Sequence, residues 1–175
     1  MCETIATTQV IESGIPIVTA EVTSEAFSGN NTIRVTATGV GDYEFSLDNG
    51  PYQDSNVFED VSAGHHLVLA RDINGCGIAS TTITVIDYPR YFTPNGDGNN
   101  DQWNIEGIDS QPGARIFIFD RYGKLLKQIS PTSSGWDGTF NGNLMPTNDY
   151  WFSLEYQEPI TGETRTFRAH FTLKR

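Results

Sequence analysis

The sequence predicts an all-β protein built from two tandem Ig-like antiparallel β-sandwich domains. Short segments in which apolar and polar residues alternate recur along the chain, and turn signals rich in Gly, Asn and Asp separate them. No segment shows the 3.6-residue periodicity of an amphipathic helix. The 175 residues are many for one small domain and fit two units of about 80 to 90 residues each, by the usual size of protein domains.

Charge is distributed unevenly along the chain. The net charge is −11, yet residues 1–88 carry twelve acidic and two basic side chains, whereas residues 89–175 carry ten acidic and nine basic ones. Such a step indicates two units of separate origin. The acidic balance also makes nucleic acid a poor partner, because phosphate binding needs a basic surface.

The beginning of the chain repeats a pattern that returns later. Segment 2–12 resembles segment 76–87, with Cys2 and Cys76 in equivalent positions. We therefore expect residues 1–14 to be the last strand of a preceding repeat, or a linker. The two cysteines would then belong to successive repeats, although a disulfide between them remains the alternative.

Residues 15–88 are expected to form a complete Ig-like repeat. Ile33, Val35 and Ala37 alternate with polar residues, which indicates a strand with one buried face. Further short strands separated by Asn-Gly turns are expected over 43–47, 66–71 and 81–87.

Residues 89–175 are expected to form the second domain, with more aromatic strands. The apolar run 116–119 predicts a strand that is covered on both faces. Two later strands each place four apolar residues on one face, and we expect burial of the set on the last strand. These residues are Tyr150, Phe152, Leu154 and Tyr156, and on the last strand Phe167, Ala169, Phe171 and Leu173.

The stretch 93–101 contains a proline, two glycines, three asparagines and two aspartates, a mixture that no helix or strand tolerates. Side-chain oxygens recur at alternate positions, on Asn95, Asp97, Asn99 and Asp101. Calcium prefers six to eight oxygen ligands, so these four residues are candidate calcium ligands. The alternative is a loop whose Asn and Asp side chains bond its own backbone. We expect no other cofactor.

No catalytic site is indicated by the sequence. It contains neither GxSxG, HExxH nor CxxC. His65 and His66 are adjacent on a predicted strand and point to opposite faces, so they cannot chelate one ion, and we expect both to be solvated. Trp103, Trp136 and Trp151 could form a sugar-binding platform, but aromatic side chains of a small β domain usually belong to its core.

Four motifs follow one another in the second half, FTPNGDGNND, IFDRYG, GWDG and NDYW. In this order and spacing they resemble the gliding-motility-associated C-terminal domain, the type B sorting domain of proteins exported by the type IX secretion system. NDYW departs from the family, which more often has a glycine before this aromatic strand. The candidate site residues that the resemblance implies are Thr93, Pro94, Asn95, Gly96, Asp97, Gly98, Asp101, Arg121, Tyr122, Gly123, Trp136, Asp137, Gly138, Tyr150, Lys174 and Arg175.

The preceding unit resembles the Ig-like repeats of SprB-type gliding adhesins, through YEFSLD at 43–48 and DINGC at 72–76. Together the two resemblances imply that 15–88 is an adhesin stalk repeat and that 89–175 is a sorting domain. The implied partners are the outer-membrane type IX translocon and a cognate membrane β-barrel protein. We therefore expect export through the periplasm to the cell surface or the medium, and an isolated fragment that is a monomer.

A different class of function remains open at this point. The chain could be a carbohydrate-binding or calcium-dependent adhesion module at the end of a secreted glycanase, which would need exposed and coplanar Trp side chains. A smaller alternative concerns Lys174 and Arg175, which are either a basic tag for the translocon or a solvated end. We expect the solvated end.

Overall fold

The computed structural model describes residues 14–75 and 77–175. Nearly all regular structure in this part of the chain is β-strand, arranged in mainly antiparallel sheets, and the predicted all-β sandwich fold is confirmed. The strand expected within residues 1–14 and the pairing of Cys2 with Cys76 involve residues outside those described.

The first half of the described chain contains six strands. They are β1 (Ile17–Val22), β2 (Asn31–Thr38), β3 (Tyr43–Leu47), β4 (Val57–Val61), β5 (Gly64–Asp72) and β6 (Ile78–Val85). Two three-stranded antiparallel sheets result, in the orders β1-β2-β4 and β3-β5-β6. Apolar residues from both sheets form one core, as the predicted alternation requires. Its buried members are Ile33, Val35, Phe45, Val61, Val68, Ala70 and Val85.

The histidines correct one expectation. His65 is exposed, as predicted, and its Nε2 lies 2.9 Å from Asp109 in the second half. His66 was expected to be solvated, but its side chain is buried. It points inward on β5, where its Nδ1 lies 2.7 Å from the Asp48 carboxylate and its Nε2 lies 2.9 Å from the Ser62 carbonyl oxygen. Two polar partners make this burial tolerable.

The second half contains seven strands and one short 3₁₀ helix, Ile108–Ser110. The strands are β7 (Tyr91–Phe92), β8 (Arg115–Phe119), β9 (Leu125–Ile129), β10 (Thr139–Phe140), β11 (Asn143–Leu144), β12 (Asn148–Gln157) and β13 (Thr164–Leu173). Five of them form a sheet in the order β7-β13-β12-β8-β9, in which only the β7–β13 pair is parallel, and β10 pairs with β11. No helix among the described residues is long and apolar enough to cross a membrane.

One face of the five-stranded sheet carries the second core. The four predicted residues of β12 are all buried, and on β13 Phe171 and Leu173 are fully buried, while Phe167 and Ala169 are half-buried against the same core. An irregular layer covers this face. Within that layer, Trp103 and Trp136 exchange two backbone hydrogen bonds, of 2.9 and 2.8 Å, which hold its segments together. Both indoles are buried, so the three-tryptophan sugar platform does not exist.

The opposite face of the sheet differs from the expectation for β8. Ile116 and Ile118 are fully buried, but Phe117 and Phe119 point to the other side and are only half-buried. Trp151, which pairs with Phe119 on the neighbouring strand, is 42% exposed. The apolar run therefore belongs to a sheet with one open face.

The two halves touch through the loop of residues 23–30, which connects β1 to β2. The Phe27 ring stacks on Phe167 with a centroid distance of 4.2 Å and meets Tyr156 edge-on at 5.3 Å. The Phe27 backbone has a φ of 64°, a conformation that costs energy in a bulky residue, and its packing into the second core holds it there. Glu25 adds a contact of 3.5 Å to Arg165.

A buried carboxylate lies beneath this loop. Glu158 is 1% exposed and accepts a hydrogen bond of 2.9 Å from the Tyr156 hydroxyl and one of 3.4 Å from the Ala26 backbone N–H. The Arg165 guanidinium is 3.6 Å away. Burial and the hydrogen bond to Glu158 raise the pKa of Tyr156 to about 12.

Candidate recognition site at one end of the C-terminal sheet

The register of the sheet brings distant segments to one end. Phe92, the last residue of β7, lies beside Leu173 in parallel register, and Leu173 pairs with Asn148 at the start of β12. Phe119, the last residue of β8, pairs with Trp151 near the same end of β12. The chain therefore leaves β7, β8 and β13 where it enters β12.

Four segments meet at this end of the sheet, which we call the motif end. They are the loop 93–101, the turn 120–124, the segment 136–147 and residues 174–175. All sixteen candidate residues taken from the resemblance lie in these segments or, in the case of Tyr150, on the adjoining strand.

Asp101 organises the loop 93–101. Its carboxylate accepts hydrogen bonds from the backbone N–H groups of Asn95 at 3.0 Å, Gly96 at 2.6 Å and Gly98 at 2.7 Å. The N–H groups of Gly96 and Gly98 hold the pKa of the Asp101 carboxyl below its usual value, because they stabilise the ionised form. Both glycines have positive φ, 80° and 87°, which lets the backbone curl around the carboxylate.

The remaining polar side chains of this loop also bond within it. Asn95 Oδ1 accepts the Asp97 N–H at 3.0 Å, and Asp97 Oδ1 accepts the Asn99 N–H at 2.7 Å. Asn95 Nδ2 donates to Asp97 Oδ2 at 2.8 Å. Successive Asx turns therefore account for the oxygen-rich composition. Binding of calcium by Asn95, Asp97, Asn99 and Asp101 would have to compete with these bonds, and it stays a prediction.

Arg175 ties three of the four segments together. Its guanidinium donates to the carbonyl oxygens of Met145 at 3.1 Å, Gly138 at 3.1 Å and Pro94 at 3.3 Å. Its backbone N–H donates to Thr147 Oγ1 at 3.0 Å. Arg175 is exposed, as expected for a solvated end, and its guanidinium also acts as a structural clasp between these segments. A planar group with five donors suits such a bridging role.

Gly138 makes this close approach possible. It has a φ of 76°, and a Cβ atom there would lie 2.7 Å from the Leu173 side chain and 3.1 Å from an Arg175 nitrogen. Asp137 fixes the turn before it, because its Oδ1 accepts the N–H and the hydroxyl of Thr139 at 3.0 and 2.8 Å. A larger residue at Gly138 would therefore displace the clasp.

The aromatic candidate residues Trp136 and Tyr150 pack in the core beneath the loops of the motif end. Trp136 is 1% exposed, donates from Nε1 to the Thr139 carbonyl oxygen at 2.8 Å, and meets the Tyr150 ring edge-on at 5.0 Å. The Tyr150 hydroxyl donates to the Pro146 carbonyl oxygen at 2.7 Å. Both side chains therefore pack in the core and hold the segment 136–147 in place.

The turn 120–124 is largely exposed. Asp120 Oδ1 accepts the N–H groups of Tyr122 and Lys124, each at 2.9 Å, and Gly123 completes the turn with a φ of 78°. Tyr122 is 82% exposed, and its only described side-chain contact is the Arg121 guanidinium, 5.2 Å from the ring centre. Arg121 and Tyr122 thus contribute little to the fold.

The remaining terminal candidate, Lys174, lies outside the clasp. Its amino group lies 4.2 Å from the centre of the exposed Tyr91 ring, while its backbone N–H donates to the Phe92 carbonyl oxygen at 3.0 Å.

The role of Arg175 could not be found from the sequence, because its three acceptors are main-chain oxygens from distant segments. No residue-type signal marks such partners.

Among residues 14–75 and 77–175, no group of three or more His, Cys, Asp and Glu side chains is placed to hold a metal ion. This finding does not test the calcium prediction, because it concerns groups of at least three His, Cys, Asp and Glu side chains, and the four candidate calcium ligands include only two carboxylates. What the site residues do is fix a set of loops in one shape.

The fold and the motif end define a folded β-sandwich module whose motif residues build one loop-covered end. Residues 86–172 match the CHU_C type IX secretion signal domain, and this half of the chain belongs to that family. A secretion signal domain is not itself catalytic, and its presence means export to the cell surface or the extracellular space through interaction with the secretion machinery.

Comparison with solved structures gives only distant likenesses. Dimeric latent PorU from Porphyromonas gingivalis aligns with a TM-score of 0.28 and 14% identity, over 90% of this chain and 20% of that one. The BSP domain of a biofilm-associated protein aligns with a TM-score of 0.27 and 13% identity, over 89% of this chain and 29% of that one. These likenesses carry no argument about function. No curated protein sequence matches the chain.

Proposed function

We propose that residues 89–175 are a type B sorting domain that the outer-membrane type IX translocon reads in its folded state, together with a cognate membrane β-barrel partner. The observation that carries this proposal is the convergence of all the motif residues on one end of the sheet. A linear peptide signal would not need residues about 80 positions apart to meet.

Long-range contacts support reading of a folded domain. Arg175 bonds to Pro94 and Gly138, and β13 separates β7 from β12. The shape of the loop 93–101 therefore depends on residues that are distant in sequence. Unfolding would separate the four segments of the motif end, and the surface that the translocon recognises would be lost.

For the first half we propose a stalk repeat of a large cell-surface adhesin used in gliding motility. A six-stranded sandwich with a continuous apolar core suits a spacer that holds a distal binding region away from the membrane. The strongly acidic surface of this half favours solubility and discourages sticking between neighbouring stalks. In this proposal the two units have no catalytic role.

Surface display of a reporter tests the sorting function. The whole chain is fused behind a periplasmic fluorescent protein in a bacterium with a type IX system, and surface exposure is measured by protease accessibility of intact cells. We expect display that disappears when the translocon is deleted, while a fusion to residues 1–88 alone stays in the periplasm. Display of the 1–88 fusion, or none with the whole chain, would contradict the proposal.

A core substitution tests whether the folded state is read. Phe171 is fully buried and stacks on Trp103 at 3.8 Å, so Phe171→Asp places a charge in the core and unfolds the domain. We expect this fusion to remain in the periplasm. Normal surface display of Phe171→Asp would show that the translocon does not require the sandwich.

A further inference from the structure

We propose that the open face of the five-stranded sheet, next to the motif end, docks an acidic protein surface during recognition. The inference rests on the proposed sorting function and assigns a surface and a partner chemistry to it. We call this surface the aromatic–arginine face, and it consists of Phe117, Phe119, Arg121, Trp151, Arg168 and His170.

Strand register places these residues together. Trp151 pairs with Phe119 on one side and with His170 on the other, and its ring lies 6.3 Å from the His170 ring. Two positions along β12, Ser153 pairs with Phe117 and with Arg168. Because side chains two residues apart share a face, the aromatic rings and the guanidinium of β13 form one continuous surface.

A shallow groove of about 460 Å³ runs across this surface. Phe119 and Trp151 form its apolar part, and Arg121 and Arg168 contribute to its lining. Of the three tryptophans, Trp103 and Trp136 are in the core, whereas Trp151 is 42% exposed at the centre of the sheet. A solvent-exposed tryptophan in the middle of a strand is available to anchor a partner.

The two arginines are free to bind such a partner. The only contact described for the Arg121 guanidinium is the Tyr122 ring at 5.2 Å, and Arg168 makes a single long hydrogen bond of 3.5 Å to Ser153 Oγ. The one carboxylate lining the groove, Asp120, is engaged with backbone N–H groups of its own turn. Positive charge on this face is thus incompletely compensated, in a chain whose net charge is −11.

The charge distribution selects an acidic occupant. A partner with carboxylates would be repelled by the first half of the chain, which carries a net charge of −10, and attracted to the uncompensated arginines of this face. Such a pattern orients the encounter and suppresses wrong contacts. Arg and Trp are also the side chains that most often dominate binding energy at protein interfaces. The occupant is therefore a protein surface with carboxylates around an apolar side chain that fills the groove.

Charge reversal in the whole chain tests the assignment. The double variant Arg121→Glu/Arg168→Glu and the single variant Trp151→Ala are placed in the surface-display fusion. We expect each to reduce the displayed fraction about tenfold or more, with the melting temperature of the purified chain within a few degrees of the unaltered chain. Arg121→Lys/Arg168→Lys keeps the charge and is expected to retain most of the display.

The matched control is Arg34→Glu/Lys127→Glu, which makes the same change in net charge at two exposed positions outside the aromatic–arginine face. It should be displayed normally. If the face variants are displayed as well as the unaltered chain, or if the control fails equally, the inference is overturned and the sorting function stands. If the unaltered chain is not displayed, the proposed function falls and takes this inference with it.

A second copy of the chain is the competing occupant, because its first half is acidic. Sedimentation of the purified chain at low salt distinguishes the cases. We expect a monomer with and without Arg121→Glu/Arg168→Glu. A dimer that the double variant abolishes would assign the face to self-association and overturn the proposed partner.

Discussion

At the scale of single residues, the polar side chains of the motif end act mainly on the backbone. The Asp101 carboxylate accepts hydrogen bonds from three backbone N–H groups, and the Asp120 carboxylate accepts two. The Arg175 guanidinium donates to three backbone carbonyl oxygens. Of the two interpretations left open for loop 93–101, the Asx turns agree with its hydrogen bonds, because Asn and Asp reach their own backbone within two residues, while calcium binding stays a prediction. The amino-acid composition could not predict the role of Arg175, whose partners are set by the fold alone.

Replacing Asp101 should loosen the loop. Asp101→Asn keeps the shape of the side chain but puts an amide nitrogen where an oxygen accepts, so one or more N–H groups lose their partner. We expect a lower melting temperature at neutral pH, measured by circular dichroism. Because the pKa of Asp101 is lowered in the folded state, its contribution is present above the ordinary value of 3.8 and is lost as the pH falls below it. The difference from the unaltered chain should therefore shrink in acid.

Calcium provides a separate test of the same loop. If Asn95, Asp97, Asn99 and Asp101 bind the ion, millimolar calcium raises the melting temperature by mass action, and Asp97→Ala abolishes the rise. Magnesium, which demands a smaller octahedral site, is the control ion. An unchanged melting curve would leave the Asx turns as the whole explanation.

Removing the clasp should free several loops together. Arg175→Ala deletes three hydrogen bonds from a charged donor, and we expect a loss of about 1–2 kcal/mol in the free energy of unfolding. Arg175→Lys should recover little, because one ammonium cannot span three carbonyls. Lys174→Ala is the matched control and should change stability by less than about 0.5 kcal/mol. Equal losses for both positions would contradict the clasp. Chemical denaturation gives these values.

At the scale of strands, alternation predicted which residues are buried but not which strands pair. The inward residues of β12 and the end of β13 follow period two, so their burial could be inferred from the sequence. For β8 the continuous apolar run was misleading, since Phe117 and Phe119 lie on an open face. Nothing local could predict that β7 pairs in parallel with β13, because strand pairing over about 80 residues is decided by the whole fold.

Strand β13 should be the most sensitive element of the second half. Leu173 is fully buried beside Gly138 and pairs with both β7 and β12. We expect Leu173→Ala to cost about 2–5 kcal/mol, because a cavity opens in the core. Thr166→Ala on the exposed side of the same strand should cost less than about 1 kcal/mol. Similar costs in denaturant unfolding would mean that the end of β13 is not part of the core.

At the scale of the whole molecule, the two halves are predicted to unfold in a coupled way. Phe27 belongs to the first half by sequence but packs in the second core, against Phe167 and Tyr156. All three tryptophans are in the second half, so tryptophan fluorescence reports on that half alone. We expect Phe27→Ala to lower the fluorescence-detected melting temperature by several degrees, as a loss of about 1–3 kcal/mol would.

Phe58→Ala is the matched control for this coupling. Phe58 is also half-buried, but it packs against the core of the first half. We expect it to destabilise that half while shifting the fluorescence transition less than Phe27→Ala does. A larger shift from Phe58→Ala would show that the loop 23–30 does not support the second core.

The position of β13 also determines when the motif end can exist. β7 has β13 as its neighbour in the sheet, and the loop 93–101 starts where β7 ends. During synthesis, residues 91–101 emerge long before residues 164–173, so for that interval β7 has no strand to pair with. Closing so long a segment is slow, and meanwhile the edge of β12 that later pairs with β13 has no partner and can attract other chains. We therefore expect that the motif end of a nascent chain cannot form until β13 has joined the sheet.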